Sequence, residues 1–234
     1  MEFAGIQKLT LLDYPGLTAC TVFTQGCNLR CPYCHNSSLL TASAEVGISS
    51  EEILRFLDKR RGLLDGVCIS GGEPTLHRDL AEFCRCVKAL GYSVKLDTNG
   101  TQPERLAELL GEGLLDSVAM DIKNAPGSYA TTVGAELPVE TITRSVTLLR
   151  ESGIAFELRT TVVRELHTRE QLLEMAQWLA GEQPWYLQSY RHSESVLQEG
   201  LSAYSPEELE SFRREMLPYV PHIQLRGVSA GRNG

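Results

Sequence analysis

Short runs rich in β-branched residues alternate along this chain with stretches that place apolar residues at helical spacing. The runs 18–24 (TACTVFT), 66–70 (GVCIS), 93–98 (SVKLDT), 116–122 (DSVAMDI), 155–163 (AFELRTTVV) and 185–190 (WYLQSY) predict strands, and 222–226 (HIQLR) is a final candidate. The stretches between them open with a common signature. Ser49-x-x-Glu52, Thr101-x-x-Glu104, Thr168-x-x-Gln171 and Ser205-Pro206-Glu207-Glu208 predict capping boxes, in which two side chains satisfy backbone N–H groups that a first helical turn leaves open. Gly62, Gly91, Gly111, Gly153 and Gly181 predict the left-handed residues that close the helices. Repeated strand–helix alternation predicts an α/β fold with a parallel sheet and helices outside it.

The polar positions sharpen that expectation. Gly71-Gly72-Glu73, Asp97-Thr98-Asn99, Asp121-x-Lys123 and Gln188-x-Tyr190-Arg191 all fall at or just past the C-terminal ends of predicted strands. That rim is where α/β barrels keep their active sites. Six strand–helix units, with long first and fourth connections, use up the 234 residues. The expectation is an incomplete (β/α)6 barrel, a single domain over residues 1–226 with a frayed tail at 227–234.

Composition narrows the function classes. No apolar run approaches the ~20 residues of a membrane helix. The opening MEFAGIQKLTLLDYPG lacks the basic and long apolar regions of an export signal, so a cytoplasmic location is expected. Lys and Arg number 22 against 30 Asp and Glu, a net charge of −8, and the one basic cluster, Lys59-Arg60-Arg61, ends a helical pattern where cations suit the dipole. Nucleic acid is therefore a poor candidate partner.

Cysteine usage points to chemistry. Of seven cysteines, Cys27, Cys31 and Cys34 crowd into eight positions directly after the first predicted strand, a pattern for metal or redox work rather than a disulfide framework. Cys31-Pro-Tyr-Cys34 alone has the spacing of a thioredoxin-like dithiol, and Cys31 to His35 alone spells the C-x-x-C-H of haem attachment. Structural zinc would need a fourth ligand, for which His35 is the nearest residue, although neighbours rarely turn onto one small ion. The fourth reading is a [4Fe–4S] cluster held at three corners, with one iron open to a small molecule. Cys20 and Cys68 lie in strands, and Cys84 and Cys86 face different ways on a helix, so these read as small core residues.

The C-x3-C-x2-C loop with an aromatic, Tyr33, before its third cysteine, followed one strand later by Gly71-Gly72-Glu73-Pro74, resembles the radical S-adenosylmethionine superfamily. Asp97-Thr98-Asn99-Gly100 and Asp121-Ile122-Lys123 resemble motifs of its glycyl-radical enzyme activases, such as those of pyruvate formate-lyase. The stretch from Leu12-Asp13-Tyr14-Pro15-Gly16 through Phe23-Thr24-Gln25-Gly26-Cys27 to His35-Asn36 is most similar to activating proteins of anaerobic ribonucleoside-triphosphate reductase. No cysteine-rich insert follows Cys34, so the extra ferredoxin-like clusters of some activases are not expected. Past the sixth strand, Tyr190-Arg191 precedes His192 where pyruvate formate-lyase activases carry a histidine near the cofactor.

The resemblance implies an incomplete TIM-like barrel of the radical S-adenosylmethionine type. It makes Cys27, Cys31 and Cys34 the cluster ligands, and the cofactors S-adenosylmethionine and a monovalent cation. An electron given to the cluster would break a carbon–sulfur bond of S-adenosylmethionine, and the resulting radical would take a hydrogen atom from a glycine of the partner. Gly71 and Gly72 would let backbone approach the cofactor's ammonium, with Glu73 orienting that turn. Asp97, Thr98 and Asp121 would offer hard oxygens near its carboxylate, and Lys123 a point charge. Tyr33, Asn99 and Arg191 complete the implied cofactor contacts. Arg159, set among apolar neighbours in a strand, needs a partner, either a substrate peptide or a buried carboxylate. The implied partners are a glycyl-radical enzyme and a low-potential electron donor such as flavodoxin or ferredoxin. A pyruvate formate-lyase type partner, or a small-molecule substrate such as a pterin-derived base, is the alternative.

Overall fold

A computed structural model describes residues 1–40 and 47–228. The strands are β1 (Glu2–Thr10), β2 (Ala19–Thr24), β3 (Ile48–Ser49), β4 (Gly66–Gly71), β5 (Ser93–Thr98), β6 (Ser117–Asp121), β7 (Ala155–Val162), β8 (Trp185–Ser189) and β9 (Ile223–Arg226). Between them run α1 (Ser50–Asp58), α2 (Leu80–Ala89), α3 (Pro103–Gly111), α4 (Tyr129–Val133), α5 (Val139–Glu151), α6 (Arg169–Trp178) and α7 (Pro206–Met216). All six predicted strands form, the last candidate forms as β9, and their ends move by a residue at most. Of the expected tail, residues 229–234 lie outside the described residues. Among the described residues no helix is long and apolar enough to cross a membrane.

The described residues divide into two compact units, one comprising residues 1–28, 38–119 and 141–155, the other residues 29–37, 120–140 and those from 156 on. In the first unit β2, β4 and β5 are parallel neighbours in the register Val22, Ile69, Leu96. These three side chains are fully buried. Because side chains alternate across a strand, the next row, Thr21, Cys68 and Lys95, faces the other way, together with Ser70 and Asp97. Strand β1 runs antiparallel to β2 and carries β3 on its outer side. Its Phe3 meets Phe83 of α2 with ring centroids 4.7 Å apart.

The second unit repeats the logic with β7, β8 and β9 in parallel, in the register Thr160, Leu187, Leu225. Leu158, Thr160, Val162, Trp185 and Leu187 are buried on one face, and the indole N–H of Trp185 donates to Thr160 Oγ1 over 3.0 Å. Glu157, Arg159, Tyr186, Gln188 and Arg226 alternate onto the other face. There Arg226 makes two 2.9 Å bonds to Glu157, and its guanidinium carbon lies 3.7 Å from the Tyr186 ring centre.

Capping boxes form at Ser49, Thr168 and Ser205, each with both reciprocal bonds. The box expected at Thr101 does not. Pro103 sets the start of α3 behind Gln102, and the Thr101 hydroxyl donates instead to Asn99 Oδ1 over 2.7 Å. Gly111 likewise remains the last helical residue of α3, and the left-handed position is taken by Gly113, at φ 65°.

Replacing the fully buried Trp185 by Ala removes its packing and leaves the Thr160 hydroxyl without this donor. The expected outcome is a loss of about 3–5 kcal/mol, a melting temperature lower by roughly 10 °C. Leu63→Ala, at a 63% exposed position, is expected to change it by less than about 2 °C. Thermal unfolding followed by circular dichroism checks both.

Candidate functional site

In the first unit the double-glycine turn is built against the end of β2. The N–H of Gly72 donates to Thr24 O over 3.0 Å and that of Glu73 to Gly26 O over 2.8 Å. A Cβ on Gly71, at φ 112°, would sit 2.5 Å from Thr24 N, and one on Gly72 would sit 2.0 Å from Gly26 O. The glycines are thus demanded first by the chain's own backbone, a reason beyond the expected approach of a cofactor.

Glu73 is completely buried. Its Oε1 accepts from Thr75 N at 3.0 Å, from the Thr75 hydroxyl and from Thr98 Oγ1 at 2.8 Å, and its Oε2 accepts from Asn99 N at 2.7 Å. Burial pushes the carboxyl up from its ordinary value, and the bonds from Thr75, Asn99 and Thr98 hold against that shift. Asn99, fixed at its backbone by Glu73, places Nδ2 3.8 Å from Cys27 Sγ and 3.0 Å from Asn28 Oδ1. In the same unit Asp97, on the opposite face of β5, pairs with the ammonium of Lys95 and accepts from Ser70 Oγ at 3.2 Å.

The second unit holds Cys31, Tyr33, Cys34, Asp121, Lys123 and Arg159. Cys34 N donates to Cys31 O over 3.1 Å, while Arg30 N donates to Val133 O over 2.7 Å and Gln198 N to Pro32 O over 3.1 Å, which fixes the backbone on either side of Cys31. Asp121 closes β6 and takes Arg159 Nε on Oδ1 at 2.9 Å and Lys123 Nζ on Oδ2 at 3.0 Å. Burial alone would push its carboxyl up, but the charges of Arg159 and Lys123 outweigh it and bring the pKa down to about 2. Burial works against the charge on Lys123 too, and Asp121, followed by Tyr33 and Cys31, keeps its pKa well above the ordinary value. Of the two partners open to Arg159, the structure supplies the carboxylate.

Tyr33 is buried with its hydroxyl unpartnered, and burial holds its pKa well above the usual value. Buried hydroxyls without a partner are uncommon in folded proteins. The Tyr190 hydroxyl is the other such group among the described residues, its ring edge-on to His35. Arg191 is exposed, and its hydrogen bond, 3.5 Å long, goes to Gly227 O.

Three residues that the sequence left in the background belong to these constellations. Lys95 is one, detectable in retrospect as a lysine two places before Asp97 on a strand whose like-facing positions share a side. His167, the second, is completely buried. Its Nε2 donates to Lys123 O over 2.7 Å while its Nδ1 accepts from Val163 N over 3.1 Å, and burial lowers its pKa, keeping the ring neutral. Asn124, buried beside it, donates to Thr132 Oγ1 at 2.8 Å and Leu166 O at 2.7 Å. Nothing in the spacing of His167 or Asn124 marks them in advance.

Residues 21–179 match the Radical SAM superfamily. A Methanocaldococcus jannaschii protein named "Putative glycyl-radical enzyme activating enzyme" is 31% identical over 97% of this chain and 96% of its own length. The chain belongs to the radical SAM superfamily. The pyruvate formate-lyase-activating enzyme of Clostridium pasteurianum is 34% identical over 51% of each chain. A radical SAM methyltransferase of Sphaerobacter thermophilus shares the fold, with a TM-score of 0.72 at 14% identity over 91% of this chain and 67% of its own. The protein is a radical SAM enzyme, homologous to glycyl-radical enzyme activating enzymes, and its fold is the α/β radical SAM fold with parallel strands.

Radical SAM enzymes use a [4Fe–4S] cluster and S-adenosylmethionine. The residues here fit both. All seven cysteines are thiols, and thiolates are the soft ligands that iron–sulfur clusters take. Among the described residues no three His, Cys, Asp or Glu side chains are gathered for a single metal ion; a cube instead seats each thiolate on its own iron. The unpartnered Tyr33 hydroxyl and the charges of both signs at Asp121, Lys123 and Arg159 suit a ligand that carries a sulfonium, an ammonium and a carboxylate.

Two outcomes follow for stability. Glu73→Gln turns an amide N–H₂ toward hydrogen-bond donors and is expected to cost about 1–3 kcal/mol, read as a lower urea midpoint. Asp121→Asn leaves two cations without their shared carboxylate and is expected to cost about 3 kcal/mol at neutral pH. Because the folded carboxyl titrates near 2, below its unfolded value of about 3.9, this difference from wild type is fully present above about pH 5. It shrinks as pH falls through that range toward 2, which urea titrations at neutral and acidic pH check.

Proposed function

We propose that this chain activates a glycyl-radical enzyme and that its partner is anaerobic ribonucleoside-triphosphate reductase. The observation that carries the activase reading is the likeness to an activating enzyme over nearly the whole of both chains. The partner rests on the opening stretch from Leu12 to Asn36, which resembles the reductase activators.

In this reading Cys27, Cys31 and Cys34 hold the cluster. Bound cluster and S-adenosylmethionine supply one-electron cleavage of a carbon–sulfur bond and removal of a hydrogen atom from the partner's glycine, with flavodoxin or ferredoxin as the electron source. The chain's own residues bind and orient. Gly71 and Gly72 keep side chains away from the cofactor's ammonium, and Glu73 holds their turn through its bonds to Thr75, Thr98 and Asn99. Lys123, aimed by Asp121, presents a point charge to the cofactor's carboxylate or ribose, and His167 fixes the backbone carbonyl of that lysine. Tyr33 supplies a buried aromatic wall, and Asn99 braces Cys27.

Reconstituted anaerobically and reduced with dithionite, Cys27→Ser, Cys31→Ser and Cys34→Ser are each expected to lose cluster absorbance and S-adenosylmethionine cleavage, while Cys84→Ser and Cys86→Ser retain both. Equal loss in all five variants would overturn the ligand assignment. Mixed with the inactive reductase, the wild-type protein is expected to produce the electron paramagnetic resonance doublet of a glycyl radical. A doublet only with a pyruvate formate-lyase type enzyme would replace the partner, and robust cleavage with neither would favour a small-molecule substrate.

A further inference from the structure

Lys95 lies in the middle of a parallel strand with its side chain 2% exposed. A buried ammonium costs several kcal/mol unless it is paired, so a strand position that Val or Leu could fill would not carry it without an electrostatic task. Its nitrogen pairs with Asp97 Oδ1 and lies 3.9 Å from Cys68 Sγ, while Ser70 Oγ donates to Asp97 Oδ2 at 3.2 Å. Lys95 and Asp97 stand two residues apart on one face of β5, so the pair is fixed by the strand itself.

The monovalent cation that the family resemblance implies would need Asp97, Thr98 and Asp121. These donors do not fit it. Asp97 already carries the ammonium of Lys95. Thr98 turns to the other face of β5, where its hydroxyl donates to Glu73 Oε1 and accepts from Gly100 N at 3.1 Å. In the second unit both oxygens of Asp121 hold cations of the chain, Arg159 and Lys123.

We propose that Lys95 is a built-in cation: its ammonium neutralises Asp97 in place of a diffusible sodium or potassium ion, so that the protein is stable and binds S-adenosylmethionine without either. The binding half of this statement rests on the radical SAM reading of the site, and the stability half does not.

The test compares protein in sodium, potassium and choline chloride at one ionic strength, by thermal unfolding and by anaerobic calorimetric titration of the reconstituted protein with S-adenosylmethionine. For wild type, the melting temperature is expected to be the same in all three salts and the affinity to change by less than about twofold. Lys95→Met removes the ammonium from beside Asp97 and is expected to gain a cation requirement, its affinity falling about tenfold or more in choline and its melting temperature falling with it. If Lys95→Met fails to fold, the double variant Lys95→Met/Asp97→Asn, with neither charge, is expected to be as indifferent to the salt as wild type. A wild type that loses stability or affinity in choline overturns the proposal, as does a folded Lys95→Met that ignores the salt. Wild type that binds no S-adenosylmethionine in any salt would instead overturn the cofactor reading, with the melting temperatures still deciding the role of Lys95.

Discussion

The buried carboxylate of Glu73 is the constraint on which the first unit's functional edge depends. A charge with no exposure to water survives only if hydrogen bonds replace its hydration, and four donors do so here. They come from two places far apart in sequence: Thr75 in the turn after β4, and Thr98 with Asn99 at the end of β5. Satisfying one side chain therefore locks two strand ends together. Backbone bonds from Gly72 and Glu73 then reach Thr24 and Gly26, and Asn99 reaches Cys27 and Asn28. Within this unit, Cys27 and Asn28 are thereby tied to that carboxylate through Asn99.

The second unit solves a related problem with charge rather than with neutral donors. Asp121 ends its strand between a planar guanidinium and a point-charge ammonium, two cations that impose different geometry. Neutral His167 adds no competing charge beneath Lys123 but fixes its carbonyl, so the backbone is held while the ammonium is aimed by Asp121. In the first unit the Lys95–Asp97 pair follows the same rule of internal neutralisation. In each unit the carboxylate at a strand's C-terminal end is held by cations of the chain itself, one on Asp97 and two on Asp121, so the Asp121 group keeps a net positive charge.

Parts of the fold and site were legible for identifiable reasons. Six strands and β9 showed because parallel strands buried on both faces read as β-branched runs. Strand β1 did not, since only Phe3 and Thr10 along it are buried and its remaining positions lack an alternating pattern. Capping boxes at Ser49, Thr168 and Ser205 are local and were readable, whereas Thr101 has the same signature but spends its hydroxyl on Asn99, a contact that depends on where β5 ends. The cysteine loop and the Gly71-Gly72-Glu73 turn were visible as spaced residue types. Arg159 was visible as a residue in need of a partner, and only the structure chose Asp121.

The amino-acid sequence by itself determined the strand–helix order, the helix starts at Ser49, Thr168 and Ser205, the three-cysteine loop and the strand-end positions of the polar residues. These depend on period, spacing and neighbours within a few residues, all of which are written along the chain. Only the tertiary structure decided which charges neutralise one another, that Glu73 is the node of its turn, that His167 and Lys95 are buried participants, and that Gly72 is demanded by Gly26. Each of those rests on burial and on contacts between segments far apart in sequence. The cost of an unpaired charge or a misplaced Cβ arises only when packing removes water and brings the second segment near.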